Sequence, residues 1–233
     1  MACIFATVLL IKVFAVIFEP FADFINRYVS SLTRAALSYI TAILPFSLAE
    51  AVIITIIPIA LLYLLYFAVS LSKKDNALRH IFNLLSVVCL LFSVFTLNFS
   101  IAYDCTPIEE KANLDTSEIT SKDVYDACII ALDEMREIEG GLARSKNGIA
   151  VMPYGFGEMS VKLNASYNDL YSKYTFLSPL YVAPKRIALS KPMTYTGISG
   201  VYTFFTGEAN VNMNFPDYSV AFTAAHEMAH QRG

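Results

Sequence analysis

Two histidines stand four residues apart late in the sequence, in His226-Glu227-Met228-Ala229-His230. On a helix, positions i and i+4 lie one above the other, so this spacing aims two imidazoles at one point. Zinc accepts imidazole nitrogen at about 2.0–2.1 Å, and histidines from adjacent turns supply two of the three protein ligands of a catalytic site. Glu227, beside the first histidine, is then placed to take a proton from a metal-acidified water as that water attacks a carbonyl. The chemistry expected is peptide-bond hydrolysis, with Zn2+ as cofactor, His226 and His230 as metal ligands and Glu227 as general base. The chain holds only 3 histidines, and two of them fall in this spacing. The competing reading makes them solvent-facing residues of an amphipathic helix, with Glu227 an ordinary surface charge.

Several elements must hold that helix in place. Pro216-Asp217 opens it. Ahead of it, Glu208 to Asn214 alternates, with Ala209, Val211 and Met213 on one face and Glu208, Asn210, Asn212 and Asn214 on the other, the period of a half-buried strand. Val201 to Phe205 reads as a second strand among Gly197, Gly200 and Gly207, and Arg186 to Ser190 as a short third. A strand ahead of a metal helix suits a peptidase, whose edge strand holds an extended substrate. Further upstream, Ser121 is expected to cap a helix with Val124, Ala127, Cys128, Ala131, Leu132, Met135 and Ile138 on its apolar face, stopped by Gly140-Gly141. Another helix is expected from about Glu158 to Tyr174. Cys105 and Cys128 lie in this half, and both a disulfide and two free thiols are open. The sequence has no Cys-x-x-Cys, so a thiolate zinc site is not suggested.

The first hundred residues belong to another solvent. The chain is 56% hydrophobic and only 16% charged, and the excess sits in this part. A net charge of -3, without a basic stripe, sets nucleic acid aside as a partner. A span needs about 20 mostly apolar residues. Leu48 to Leu71 and Ile81 to Tyr103 qualify, and Cys3 to Phe18, shorter and carrying Lys12, is taken as a first span. Between them Phe21, Phe24, Ile25, Tyr28, Leu32, Ala36, Tyr39, Ile40 and Ile43 make one helical apolar stripe, expected to pack on the spans or lie on the membrane surface. Lys73, Lys74 and Arg79 in the loop after the second expected span place that loop in the cytoplasm and everything after Tyr103 outside it. Since the run before His226 is short and follows Pro216, Asp217 and Tyr218, the metal helix is expected outside the lipid.

The expected organisation is therefore a membrane-anchored α+β protein. Residues 1–103 form a membrane domain, with spans at about 3–18, 48–71 and 81–103 and an amphipathic helix at about 21–43. Residues 104–233 form the N-terminal part of an extracytoplasmic peptidase domain. The expected partners are the lipid bilayer and a peptide or protein substrate, and the oligomeric state is left open.

Three segments carry a resemblance to a known family: Thr196-Gly-Ile-Ser-Gly-Val-Tyr202, Phe205-Thr-Gly-Glu-Ala-Asn-Val-Asn212 and Phe222-Thr-Ala-Ala-His-Glu-Met-Ala-His-Gln-Arg-Gly233. With Leu44-Pro-Phe-Ser-Leu48, they resemble the DUF3810 family of bacterial membrane proteins. The resemblance implies HExxH zinc peptidases of the Glu-type zincin kind with N-terminal spans, multi-pass in the bacterial cytoplasmic membrane. Carried over position by position, it implies zinc at His226 and His230 and the general base at Glu227. Glu208 and Asn210 either line the cleft or serve the strand and its turn. In the family a third ligand, expected to be a glutamate, follows on a later helix. The chain is therefore expected to be a fragment, incomplete at its C-terminus and inactive at this length.

Two other functions compete. A membrane-tethered binding or envelope-structural protein would hold zinc for stability alone. A transporter or channel is disfavoured, because only Glu50, Asn83, Asn98 and Lys12 interrupt the spans.

Overall fold

Apolar length decides the first half of the molecule. The structure is a computed structural model and describes residues 2–72, 77–116 and 118–233. Helices α1 (Ala2–Ile17) and α2 (Glu19–Ile25) lead through a π-helical turn (Asn26–Ser30) into α3 (Ser31–Ala42), followed by α4 (Leu48–Ser72) and α5 (Ala77–Asn98). Within α4 and α5, Leu48–Ser70 and Leu78–Asn98 are long and apolar enough to cross a membrane, with mean hydropathy 2.6 and 2.1. Most of their large apolar side chains are exposed, as a lipid-facing surface requires. The first expected span, Cys3 to Phe18, is not one of them. With 16 residues, α1 is about 24 Å long, short of the roughly 30 Å of a hydrocarbon core. It packs along α5 instead, where Phe5 and Phe92 meet edge to face. Its one charge, Lys12, pairs with Asp104 and donates to the Ser100 carbonyl in the 3-10 turn (Ser100–Asp104) that ends the expected third run. Lys73 and Lys74, on which the expected orientation leans, lie outside the described residues.

The amphipathic stretch before α4 departs from expectation in what it buries. Much of its apolar stripe is exposed, Leu32 by 68% and Ile43 by 82%, whereas Ser30, Arg34, Ser38 and Thr41 are buried. Those four positions recur at three- and four-residue steps, so they form one face. The reason is polar contact with the second half of the chain. Ser38 Oγ donates to the Gly207 carbonyl at 2.6 Å, and Thr41 Oγ1 to the Thr206 carbonyl at 3.2 Å.

The second half is mostly helical around one small sheet. α6 (Ile108–Lys111), α7 (Ser121–Glu139) and α8 (Phe156–Lys173) precede β1 (Lys185–Ile187), α9 (Ser190–Thr194), β2 (Gly200–Thr203), β3 (Glu208–Asn212) and α10 (Asp217–Arg232). The cap of α7 is Thr120 rather than Ser121, in a reciprocal capping box with Asp123. Cys105 and Cys128 are both free thiols. β3 is the central strand, parallel to β1 and antiparallel to β2. It is buried on both faces rather than one, because its polar side chains have partners. Asn210 Nδ2 donates to Thr203 Oγ1 at 3.2 Å, and Asn212 Nδ2 to the Ile198 carbonyl at 2.9 Å.

The sheet and the two long apolar helices are joined by polar contacts at the helix ends. Glu208, 2% exposed, accepts from the Leu48 and Ala49 amides at 3.0 and 2.8 Å, the free donors at the start of α4. From β1, Lys185 Nζ donates to the Thr41 and Leu44 carbonyls at the end of α3. An anion at a helix start and a cation at a helix end both oppose the helix dipole. Glu50 answers from α4, accepting from the Ala188 and Leu189 amides. Asn98, at the far end of α5, donates to the Phe204 carbonyl at 3.1 Å. The start of α4 therefore meets β3, and the end of α5 meets the β2–β3 turn. Glu208→Ala is expected to leave two amides unpartnered and to lower stability by about 2 kcal/mol, read as thermal unfolding in detergent. Stability equal to wild type would show that Glu208 does not hold α4.

Candidate active site

Helix α10 presents three kinds of side chain to three surroundings. Val220, Thr223, Ala224, Glu227, Met228, Gln231 and Arg232 are buried, the i, i+3, i+4 stripe of a helix lying on a sheet. Val220 and Ala224 join Val211 of β3 and Met159 of α8 in one apolar cluster. Burying such a side chain is worth roughly 1.5–3 kcal/mol, so the helix is fixed by packing. Tyr167 of α8 adds a hydrogen bond to the Ala225 carbonyl at 2.6 Å. Gln231 ties the last turn to the β2–β3 turn and to α3, its Nε2 donating to the Gly207 carbonyl at 2.7 Å and to Ser38 Oγ at 3.4 Å.

His226 and His230 flank this stripe. Their ring centres are 5.0 Å apart, with an interplanar angle of 83°. Two imidazoles ligating one tetrahedral zinc at about 2.0–2.1 Å have ring centres about 5 Å apart, a similar separation. Tyr202 stacks on His230 at 6.0 Å, Phe99 of the α5 end lies 5.8 Å from it, and Phe222 stacks on His226 at 6.3 Å. Burial, then the neighbouring His226, push the His230 pKa down, which favours the neutral imidazole. The Tyr202 phenol is buried and pushed up to about 12.

Glu227 lies on the buried stripe, between helix and strand. Burial raises its pKa, while His226 and a hydrogen bond from the Tyr202 amide act against that. The approach of β2 to this carboxylate depends on Gly200. A Cβ there would stand 2.4 Å from Thr223 Cγ2 and 2.9 Å from both Cγ and Oε1 of Glu227. Gly200→Ala is expected to push β2 off α10 and to cost about 1–3 kcal/mol. Thermal unfolding checks this, and an unchanged midpoint would mean that the strand yields without cost.

Of the predicted residues, His226 and His230 face each other across one turn of α10, and Glu227 lies on the buried stripe beside them. Glu208 and Asn210 do not line this site, since their side chains serve α4 and β2. Among the described residues, no group of three or more His, Cys, Asp or Glu side chains is arranged to hold a metal ion. Sequence reasoning missed Gly200, Tyr202 and Phe99. The first two belong to the quoted Thr196–Tyr202 segment, so a signal for them was present.

A helical chain with two helices of spanning length and a three-stranded sheet bearing an HExxH helix is the class that fold and site define. A family model described as "Protein of unknown function (DUF3810)" matches residues 26–233, and the chain belongs to that family. No curated protein and no solved structure matches it.

Proposed function

We propose that this chain carries the metal-binding helix of a membrane-anchored, zinc-dependent metallopeptidase. In this reading His226 and His230 hold Zn2+, and residues 104–233 belong to a zincin-like domain on the outer face of a bacterial cytoplasmic membrane. The observation that carries the reading is the 5.0 Å separation of the two imidazole centres, with the Glu227 carboxylate buried beside them. Zinc, when bound, supplies Lewis acidity toward a water and a scissile carbonyl. The chain's own groups do the rest. Glu227 takes a proton on a carboxylate oxygen that the Tyr202 amide helps to orient, and burial raises its basicity for that role. β2 is an edge strand beside this carboxylate, so an extended peptide can pair along it.

The test uses the full-length protein. One zinc per chain and chelator-sensitive peptide hydrolysis are expected, with both lost in His230→Ala. A protein that takes up no zinc when it is supplied in excess would end the proposal. Zinc held without hydrolysis would favour a structural metal in a membrane-tethered binding protein.

A further inference from the structure

The two faces of β2 meet different surroundings. A Cβ at Gly200 would meet Thr223 and Glu227, and Tyr202 stacks on His230, so these two positions turn toward α10. Val201 and Thr203 turn the other way, as strand alternation requires, and line a cavity of about 430 Å³ on the far face of the sheet. That lies within the roughly 300–1,000 Å³ of small-ligand pockets. The walls come from α4, β1, α9 and the loops on either side of α9, where Ile53, Ile187, Leu189, Met193 and Ile198 join Val201. Among the polar groups in the wall, the Glu50 carboxylate accepts from the Ala188 and Leu189 amides. Asn210 of β3 is different. It is 1% exposed, and its Nδ2 donates to the Glu208 carbonyl at 3.2 Å, which can only accept and so sets the orientation of the amide. Its Oδ1 is then buried with no hydrogen-bond partner among the described residues.

The backbone of β2 is in phase with this division. The Asn212 amide donates to the Ser199 carbonyl at 2.9 Å and Val201 lies opposite Asn210, so residues 199, 201 and 203 bond to β3. Gly200 and Tyr202 therefore point their backbone groups outward, and the Tyr202 amide meets Glu227 on that side. A peptide paired along this edge sets one residue opposite Gly200 or Tyr202, beside Glu227, and a sequence neighbour opposite Val201. Directly opposed residues point to the same face with Cβ atoms about 4.5–5.5 Å apart, so that neighbour's side chain enters the cavity past Val201, itself 39% exposed. We propose that this cavity is a specificity pocket of the peptidase, taking a large apolar side chain, tyrosine above all, from the residue next to the one whose carbonyl is attacked. A tyrosine ring suits the apolar walls, and its hydroxyl has a donor for Asn210 Oδ1. The assignment rests on the peptidase reading and adds the substrate class to it.

The test uses full-length protein in detergent, with zinc supplied and extended peptides that carry Tyr, Leu, Ala or Asp at one varied position. Hydrolysis is followed by mass spectrometry, and binding of the same peptides, fluorescently labelled, by anisotropy on Glu227→Gln protein. Cleavage close to the varied position is expected, with kcat/KM at least tenfold higher for Tyr and Leu than for Ala and Asp. Val201→Trp, which fills the mouth, should lower kcat/KM at least tenfold for the Tyr peptide and less than threefold for the Ala peptide. A folding defect would lower both alike, and Ile198→Trp serves if Val201→Trp does not fold. Hydrolysis without side-chain preference, or a preference that neither variant moves, overturns the pocket and leaves the peptidase reading standing. Absence of hydrolysis ends the peptidase reading instead. The cavity then stands as a peptide site if the Tyr peptide binds at least tenfold tighter than the Ala peptide and Val201→Trp abolishes the difference, and equal binding overturns it. Because Ile53 belongs to a helix of spanning length, the other candidate occupant is an acyl chain. A lipid that co-purifies with the wild-type protein, is lost in Val201→Trp and blocks peptide binding would overturn the proposal in its favour.

Discussion

Glu227→Gln in the full-length protein is expected to keep its zinc and to lose about 10²- to 10⁴-fold in the rate of peptide hydrolysis. Glutamine has the same shape, so it leaves the contact with Gly200 and the Tyr202 amide in place, and its carbonyl oxygen still accepts that N–H. What it cannot do is take a proton near neutral pH. The proposed ligands His226 and His230 lie on the neighbouring flank of α10 and are untouched by the exchange. Metal content and kcat/KM, measured on the same preparation, separate the two roles. A variant that hydrolyses at the wild-type rate would remove Glu227 as the base. One that loses zinc along with activity would show that the carboxylate holds the site together rather than moving a proton.

How far the site could be read from residues follows from the range of the interactions. The i, i+4 histidines and the helix opening at Pro216-Asp217 are local, and both survive in α10. The two longest apolar runs survive as α4 and α5 for the same reason, since length and composition are properties of one segment. The errors lie where distant segments meet. The alternation of Glu208 to Asn212 signals one buried face, and nothing local announces that the start of α4 covers the other. Likewise, the apolar stripe of residues 21–43 points to a packed face, yet the buried face is set by Ser38 and Thr41 meeting the turn at Gly207. That turn needs glycine: its φ is +69°, and a Cβ would stand 2.9 Å from Leu37 Cβ. Lys12 looks like a defect in an apolar helix until Asp104, 92 residues away, accepts it.

Arg232→Ala is expected to cost about 3–5 kcal/mol of stability, on the order of a 10 °C fall in unfolding midpoint. The residue lies two positions after His230, where composition suggests an exposed basic helix end, but it is 2% exposed. Its Nη1 donates to the Met228 carbonyl at 2.9 Å, and its Nη2 to Asn164 Oδ1 at 3.0 Å and to the Leu180 carbonyl. The guanidinium carbon lies 4.2 Å from the centre of the Tyr167 ring, a cation–π contact worth about 2 kcal/mol when desolvated. Burial pushes its pKa down to about 10, so it is still charged near neutral pH. No carboxylate among the described residues pairs with it, so oriented carbonyls and a ring face must hold the charge. Alanine would strip partners from three acceptors and leave a cavity between α8 and α10. Lysine keeps the charge but lacks the fork that reaches Asn164 and Leu180 together, so Arg232→Lys should recover less than half of the loss. If lysine restores the wild-type midpoint, charge alone suffices and the fork geometry is irrelevant. If alanine costs under 1 kcal/mol, α10 is anchored by its apolar stripe and not by this guanidinium.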